Sequence, residues 1–306
     1  MTKSSTERRT LFILNIAIIF SQCGKSSTEA LSGKQELYIK GSNTELELVQ
    51  KLSEELGSVN HDFMVTVEGG GSQTGIDGLI DGKIDIANVS RQMNEEELEL
   101  CGKKRVKPTP VIFAVDAIAI VTNSKLGVDS LSIQQVASLF SGEITNWKEL
   151  GGPDLPVHLY GRDENSGTNM FFKDKILHHD YSANIKTYSK YTKIIESVKN
   201  DISGVGYVSL GHVMDLNGRP SPDIWACYIY IEGGKAVSPY EVGAIVDGTY
   251  PIMRPLYQYC NGTPQGAIKK FIEFELSPKG QEIISKCGFF PISDNHKRIN
   301  REKLVQ

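Results

Sequence analysis

Short apolar runs alternate with helix-period segments along most of this 306-residue chain, and that alternation commits it to an α/β fold with largely parallel sheets. Leu37, Tyr38 and Ile39 read as a strand, and Leu46, Val49, Leu52 and Leu56 then share one face of a helix over 45–56. A strand over 63–67, a short helix over 73–80 and a strand over 84–89 repeat the unit. The run 111–121 is long and continuously apolar, which suits a strand buried on both faces. Further on, 132–140 reads as a helix, 158–160 as a strand, 194–198 as a helix and 205–208 as a strand. Phe171, Phe172 and Ile176 mark a helix between them. The stretch 250–259 is strand-like in spite of Pro251 and Pro255, which confines it to an edge or a crossing. The end reads as helical, with Ile268, Phe271 and Ile272, then Ile283 and Ile284, facing inward.

The length favours about two domains of ~150 residues each. A net charge of −4 argues against a nucleic-acid partner, and any anion must be held by local donors, not by the overall field. Arg8 and Arg9 followed by an apolar run over 11–20 describe an export signal, taken as residues 1–22, too short to span a bilayer as a mature helix. Cys23 directly after it, with the polar tract that follows, reads as a lipidated cysteine on a tether over 23–35; a plain signal cut nearby is the alternative. The expected location is therefore periplasmic or lipid-anchored to the cell envelope. Cys101, Cys227, Cys260 and Cys287 are widely spaced and lack zinc-site spacing, and they are as compatible with free buried thiols as with a bridge. No metal or cofactor is expected.

Three segments repeat one device, a strand followed by a small-residue loop that opens a helix. They are Gly41-Ser42-Asn43-Thr44, the loop 69–75 with Ser72, and the loop 162–168 with Arg162, Glu164, Ser166, Gly167 and Thr168. A helix start offers unpaired N–H groups and roughly +0.5 of an elementary charge, so it is a natural seat for an anion. Any one of these loops alone is more often just a cap. Three together, with an arginine whose planar fork suits a tetrahedral oxyanion, favour a binding site.

On those residues the chain resembles the phosphate-binding proteins of Pst-type ABC importers, members of the periplasmic-binding-protein superfamily, from about residue 37 to about 292. The segment 162–168 is similar to that family's Arg-x-x-x-Ser-Gly-Thr loop; Gly71-Ser72, Asp85-Ile86-Ala87 leading to Ser90-Arg91, Ile144-Thr145-Asn146-Trp147 and 204–208 support it. The resemblance implies two α/β lobes with crossing hinge strands, at 111–121 and 250–259. One lobe would be 36–112 with 255–306, the other 113–254. It implies a monomer that captures inorganic phosphate and delivers it to an ABC permease. Phosphate would be held by Arg162, Ser166, Gly167 and Thr168 from one lobe and by Ser42, Asn43, Thr44 and Ser72 from the other, with Glu164 bracing the arginine. One departure matters. Where well-known members carry an aspartate that accepts the proton of phosphate, this chain has Ser90-Arg91. Arg91 is then either a second cation in the site or a solvated surface residue, and sulfate should be discriminated less sharply.

An enzyme is the main rival, but nucleophile-elbow, phosphate-loop and zinc-protease motifs are absent from the sequence. His178-His179 reads as surface. A surface lipoprotein serving as adhesin or phosphate sensor, or a binder of another tetrahedral oxyanion, would retain the same fold.

Overall fold

The computed structural model describes residues 35–61, 63–213 and 221–304. The expected export signal and Cys23 lie outside these residues, as does most of the expected tether. No helix among the described residues is long and apolar enough to cross a membrane.

The strands are β1 (Gln35–Gly41), β2 (Phe63–Glu68), β3 (Ile86–Val89), β4 (Pro108–Asn123), β5 (Ser130–Ser132), β6 (His158–Arg162), β7 (Lys186–Tyr188), β8 (Gly204–Ser209), β9 (Ile224–Ala226), β10 (Tyr228–Tyr230) and β11 (Met253–Asn261). Nine of them form one curled sheet in the order β2-β1-β3-β11-β4-β8-β6-β7, with β9 beside β4. At one end β1 pairs in parallel with β2 and β3. At the other end β6 pairs in parallel with β7 and β8. The antiparallel pair β4–β11 joins the two parallel groups.

β4 is where the chain crosses over. Its first part, up to Ala117, pairs with β11; from Ile118 to Thr122 it pairs with β8. The result is two lobes that share strands. Separate apolar clusters fill them: one gathers Val121, Val136, Phe140, Trp147, Phe172, Val205 and Ile252, and the others gather Ile39, Leu52, Phe113 and Phe271, then Ile76, Val89 and Ile112.

Pro255 fits inside β11 because of local pairing. Its opposite number, Val115, exchanges its own backbone bonds with Phe290 at 2.8 and 2.9 Å, so no ladder partner is waiting for the missing N–H. The strand read over 250–259 is thus β11, which begins only at Met253 and lies inside the sheet as a crossing strand, not at an edge. Cys101, Cys227, Cys260 and Cys287 are all free thiols. Burial pushes the Cys227 and Cys260 thiols up, to about 12 and about 11, which makes both poor nucleophiles.

Candidate functional site

Helices α1 (Leu46–Val59), α2 (Ser72–Ile80) and α5 (Gly167–Phe172) start at the three loops; α3 (Glu95–Lys104) and α4 (Ile133–Ser141) lie between the second and third. The β1–α1 loop is anchored by Ser42 N–H, which donates to Asn88 O at 2.9 Å, and Thr44 N–H donates to Ser42 Oγ at 3.1 Å. Ser166 caps α5, accepting from Thr168 N–H at 3.2 Å.

The loops meet one another. Asn43 accepts from Gly70 N–H at 3.0 Å and donates to Ser189 O at 3.2 Å. Gln73 N–H reaches Asn165 O at 3.4 Å. Gly71, at φ 102°, lies so close to Asn165 that a Cβ would run into its carbonyl. Gly167 is equally confined: a Cβ would overlap Ser72 Oγ and come within 2.6 Å of Ser90 Oγ.

At the centre, the hydroxyls of Thr44, Thr168 and Tyr191 lie 2.6–3.1 Å apart. Ser72 Oγ accepts from Ser90 N–H at 3.1 Å. Ser42, Thr44, Ser72, Ser90, Ser166 and Thr168 are all buried. Two guanidinium groups enter this shell. Arg254 pairs with Asp116 at 2.8 Å and donates to Thr168 Oγ1, also at 2.8 Å, and to Ser90 O at 2.9 Å. Burial works against the Arg254 charge, and Asp116, Tyr191 and Glu45 together outweigh it, so its pKa lies above the ordinary value. Asp116 in turn accepts from Ser209 Oγ at 2.6 Å. That pair is electrically closed.

Arg162 is not closed. Only 1% exposed, it donates through Nε to Tyr188 O at 3.2 Å and through Nη2 to Ser189 O at 2.8 Å. Its guanidinium stacks on the Tyr191 ring at 4.3 Å. Nη1 is buried with no protein partner. Among the described residues no carboxylate pairs with Arg162. The neighbouring His212 adds no charge, because burial, reinforced by Arg162, pulls its pKa down to about 4. A buried cation balanced only by carbonyls and a ring, with its Nη1 amino group unpartnered, can hold a small oxyanion.

The chain matches the PBP superfamily domain over residues 26–279. It belongs to the PBP superfamily. This superfamily member is 28% identical over 295 residues to protein SphX of Synechococcus elongatus, a match covering 93% of this chain and 86% of that one. It is 29% identical over 270 residues to the phosphate-binding protein PstS of Pseudomonas aeruginosa, covering 82% and 81%. Its fold matches the ABC-type phosphate transport receptor of Vibrio cholerae at 25% identity and a TM-score of 0.68, over 84% of this chain and all (100%) of that one.

In this PBP-superfamily chain the structure brings Ser42, Thr44, Ser72, Ser90, Arg162, Ser166, Gly167 and Thr168 to one place. Asn43 is at its edge, with both ends of its amide spent on joining loops. Two expectations need correcting. Glu164 is exposed and does not brace Arg162; the Tyr188 and Ser189 carbonyls do that work. Arg91 is neither solvated nor an open second cation. It is 5% exposed and gives two bonds, of 2.6 and 2.8 Å, to Glu97 and one of 3.0 Å to Gln73. Sequence reasoning missed Arg254, Asp116 and Tyr191. A single Asp inside the apolar run of β4 was the available signal, since such a group needs a buried partner.

Proposed function

We propose that this protein captures inorganic phosphate outside the cytoplasm and hands it to the membrane permease of an ABC importer. The observation that carries the reading is Arg162, a buried guanidinium with no counter-carboxylate among the described residues and an unpartnered Nη1 amino group, stacked on the ring whose hydroxyl joins Thr44 and Thr168. The names of the relatives give the anion: PstS is a phosphate-binding protein, and the Vibrio cholerae structure is a phosphate transport receptor. In this reading Arg162, Ser166, Gly167 and Thr168 act from a lobe of residues 113–254. Ser42, Thr44, Ser72 and Ser90 act from a lobe of residues 36–112 with 255–306. Export through residues 1–22, a tether at Cys23 and a monomeric state complete it.

Calorimetry tests it, on protein stripped of bound anion by unfolding and refolding and titrated with phosphate, sulfate and molybdate. Phosphate should bind tightest. Arg162→Ala removes a charged partner of a buried anion, which should cost about 2–5 kcal/mol, or roughly thirty- to several-thousand-fold in affinity. A variant that melts normally and binds phosphate as before would sink the assignment. Arg162→Lys should be nearly as harmful, because a point charge cannot reproduce the fork.

A further inference from the structure

Glu45 is the residue that immediately precedes α1, and it is 0% exposed. Neither of its carboxyl oxygens completes a hydrogen bond of ordinary geometry. A buried carboxyl with both oxygens unpartnered is costly to leave so, and it points to a ligand or a proton that uses it. Its surroundings belong to the site already described. The Ser42 hydroxyl lies close enough to pull its pKa down, Arg254 from β11 acts in the same sense, and Asp116 from β4 acts against it. Ser42 holds Thr44 N–H, and Arg254 bonds both Thr44 Oγ1, at 3.3 Å, and Thr168 Oγ1, at 2.8 Å. Glu45 therefore abuts the hydroxyl shell at Ser42, on the side that Arg254 holds. Other buried carboxylates near these loops are already engaged, Asp116 by Arg254 and Glu97 by Arg91.

We propose that Glu45 reads the proton on the bound oxyanion, its carboxyl and the anion sharing a proton between them. This rests on the phosphate reading of the same site. In the neutral form the carboxyl donates its O–H to an oxygen of either phosphate or sulfate. In the ionised form it can only accept, and monohydrogen phosphate supplies the O–H while sulfate has none to supply. In the neutral form the bridging proton is the carboxyl's own and in the ionised form it is the one monohydrogen phosphate brings, so neither phosphate complex needs a further proton source. Sulfate meets the ionised form as charge against charge, which is how a site rejects a near-isostere. Burial is the first cause that lifts Glu45, to about 8, so the change of form falls within reach of ordinary buffers.

The test is the pH dependence of phosphate and sulfate affinity from about pH 6.5 to 9.5, by calorimetry on the stripped protein, on Glu45→Gln and on Arg162→Ala. For the unaltered protein, sulfate affinity should fall by up to about tenfold per pH unit above about pH 8, since one proton must then be taken up on binding. Phosphate affinity should fall less, so the preference for phosphate widens with pH. Glu45→Gln keeps a donor and cannot ionise, so its sulfate profile should be flat and its preference constant. A sulfate profile of the unaltered protein that is already flat overturns the proposal without any variant. So does a Glu45→Gln profile that keeps the original slope. Unchanged binding of both anions by Arg162→Ala would instead overturn the site itself, whatever Glu45 does.

Discussion

Asp116 and Arg254 face each other across the β4–β11 ladder, 138 residues apart in sequence, and each is 1% exposed. Removing one partner of such a pair strands the other charge in a low-dielectric interior, at about 3–5 kcal/mol. Asp116→Ala should therefore lower the denaturation midpoint steeply in anion-free protein, measured by urea unfolding. It should also loosen Thr44 and Thr168, which Arg254 holds. Glu45 makes a second expectation at this scale. Its folded pKa is raised from an ordinary 4.5 to about 8, so the folded state holds a proton that the unfolded chain has released. Stability is then lost as pH rises through that window, by up to about 5 kcal/mol for this group. Glu45→Gln should flatten the stability profile between about pH 5 and 8, and an unchanged slope would mean that other groups set it. Residue-level reading of the sequence grouped Arg162, Ser166 and Thr168 because they are chain neighbours, and the structure buries all three. The reading failed at Glu164, because the carbonyls of Tyr188, the last residue of β7, and of Ser189 next to it reach the guanidinium first. It could not find Arg254, whose role exists only through strand register.

At the scale of elements, helix starts and long apolar strands were the legible features. The helix read over 132–140 is α4 at Ile133–Ser141, capped by Ser132, and the strand read over 111–121 lies inside β4. The three-residue strands β5, β7, β9 and β10 were invisible because so short a piece has no periodicity to show. Helix α3 carries a capping box of Asn94 and Glu97, and the same Glu97 carboxylate neutralises Arg91. One residue thus serves a cap and an ion pair. The contact between α2 and α5 is tight enough to test. Gly167→Ala forces Ser72 and Ser90 aside, and overpacking of that kind costs about 1–3 kcal/mol. The loss should appear in the bound state, where those hydroxyls face the anion, as roughly a five- to 150-fold weaker phosphate affinity. A Gly167→Ala protein that binds normally and only melts earlier would show that the glycine serves packing alone.

For the molecule as a whole, β4 and β11 are the shared elements between the two groups of parallel strands, and the hinge that the transport reading requires falls on them. Hydrogen bonds run directly between the two sides, from Asn43 to Ser189, between Thr44 and Thr168, and between Thr44 and Tyr191. These are few and neutral contacts, and the buried, uncompensated charge of Arg162 works against them. An anion changes that balance, since it supplies the missing counter-charge and is touched from both sides at once. Phosphate should therefore favour the closed form and contract the protein, lowering the radius of gyration in solution scattering. Binding to the folded state alone also stabilises by mass action, about 2.7 kcal/mol at a phosphate concentration of 100 Kd. For a chain of this size that corresponds to a rise in melting temperature of roughly 4–5 °C. Both effects should vanish in Arg162→Ala. A rise in melting temperature without contraction would describe a preformed, rigid pocket and would remove the hinge from the transport reading, while contraction in Arg162→Ala would mean that closure is driven by the loops themselves.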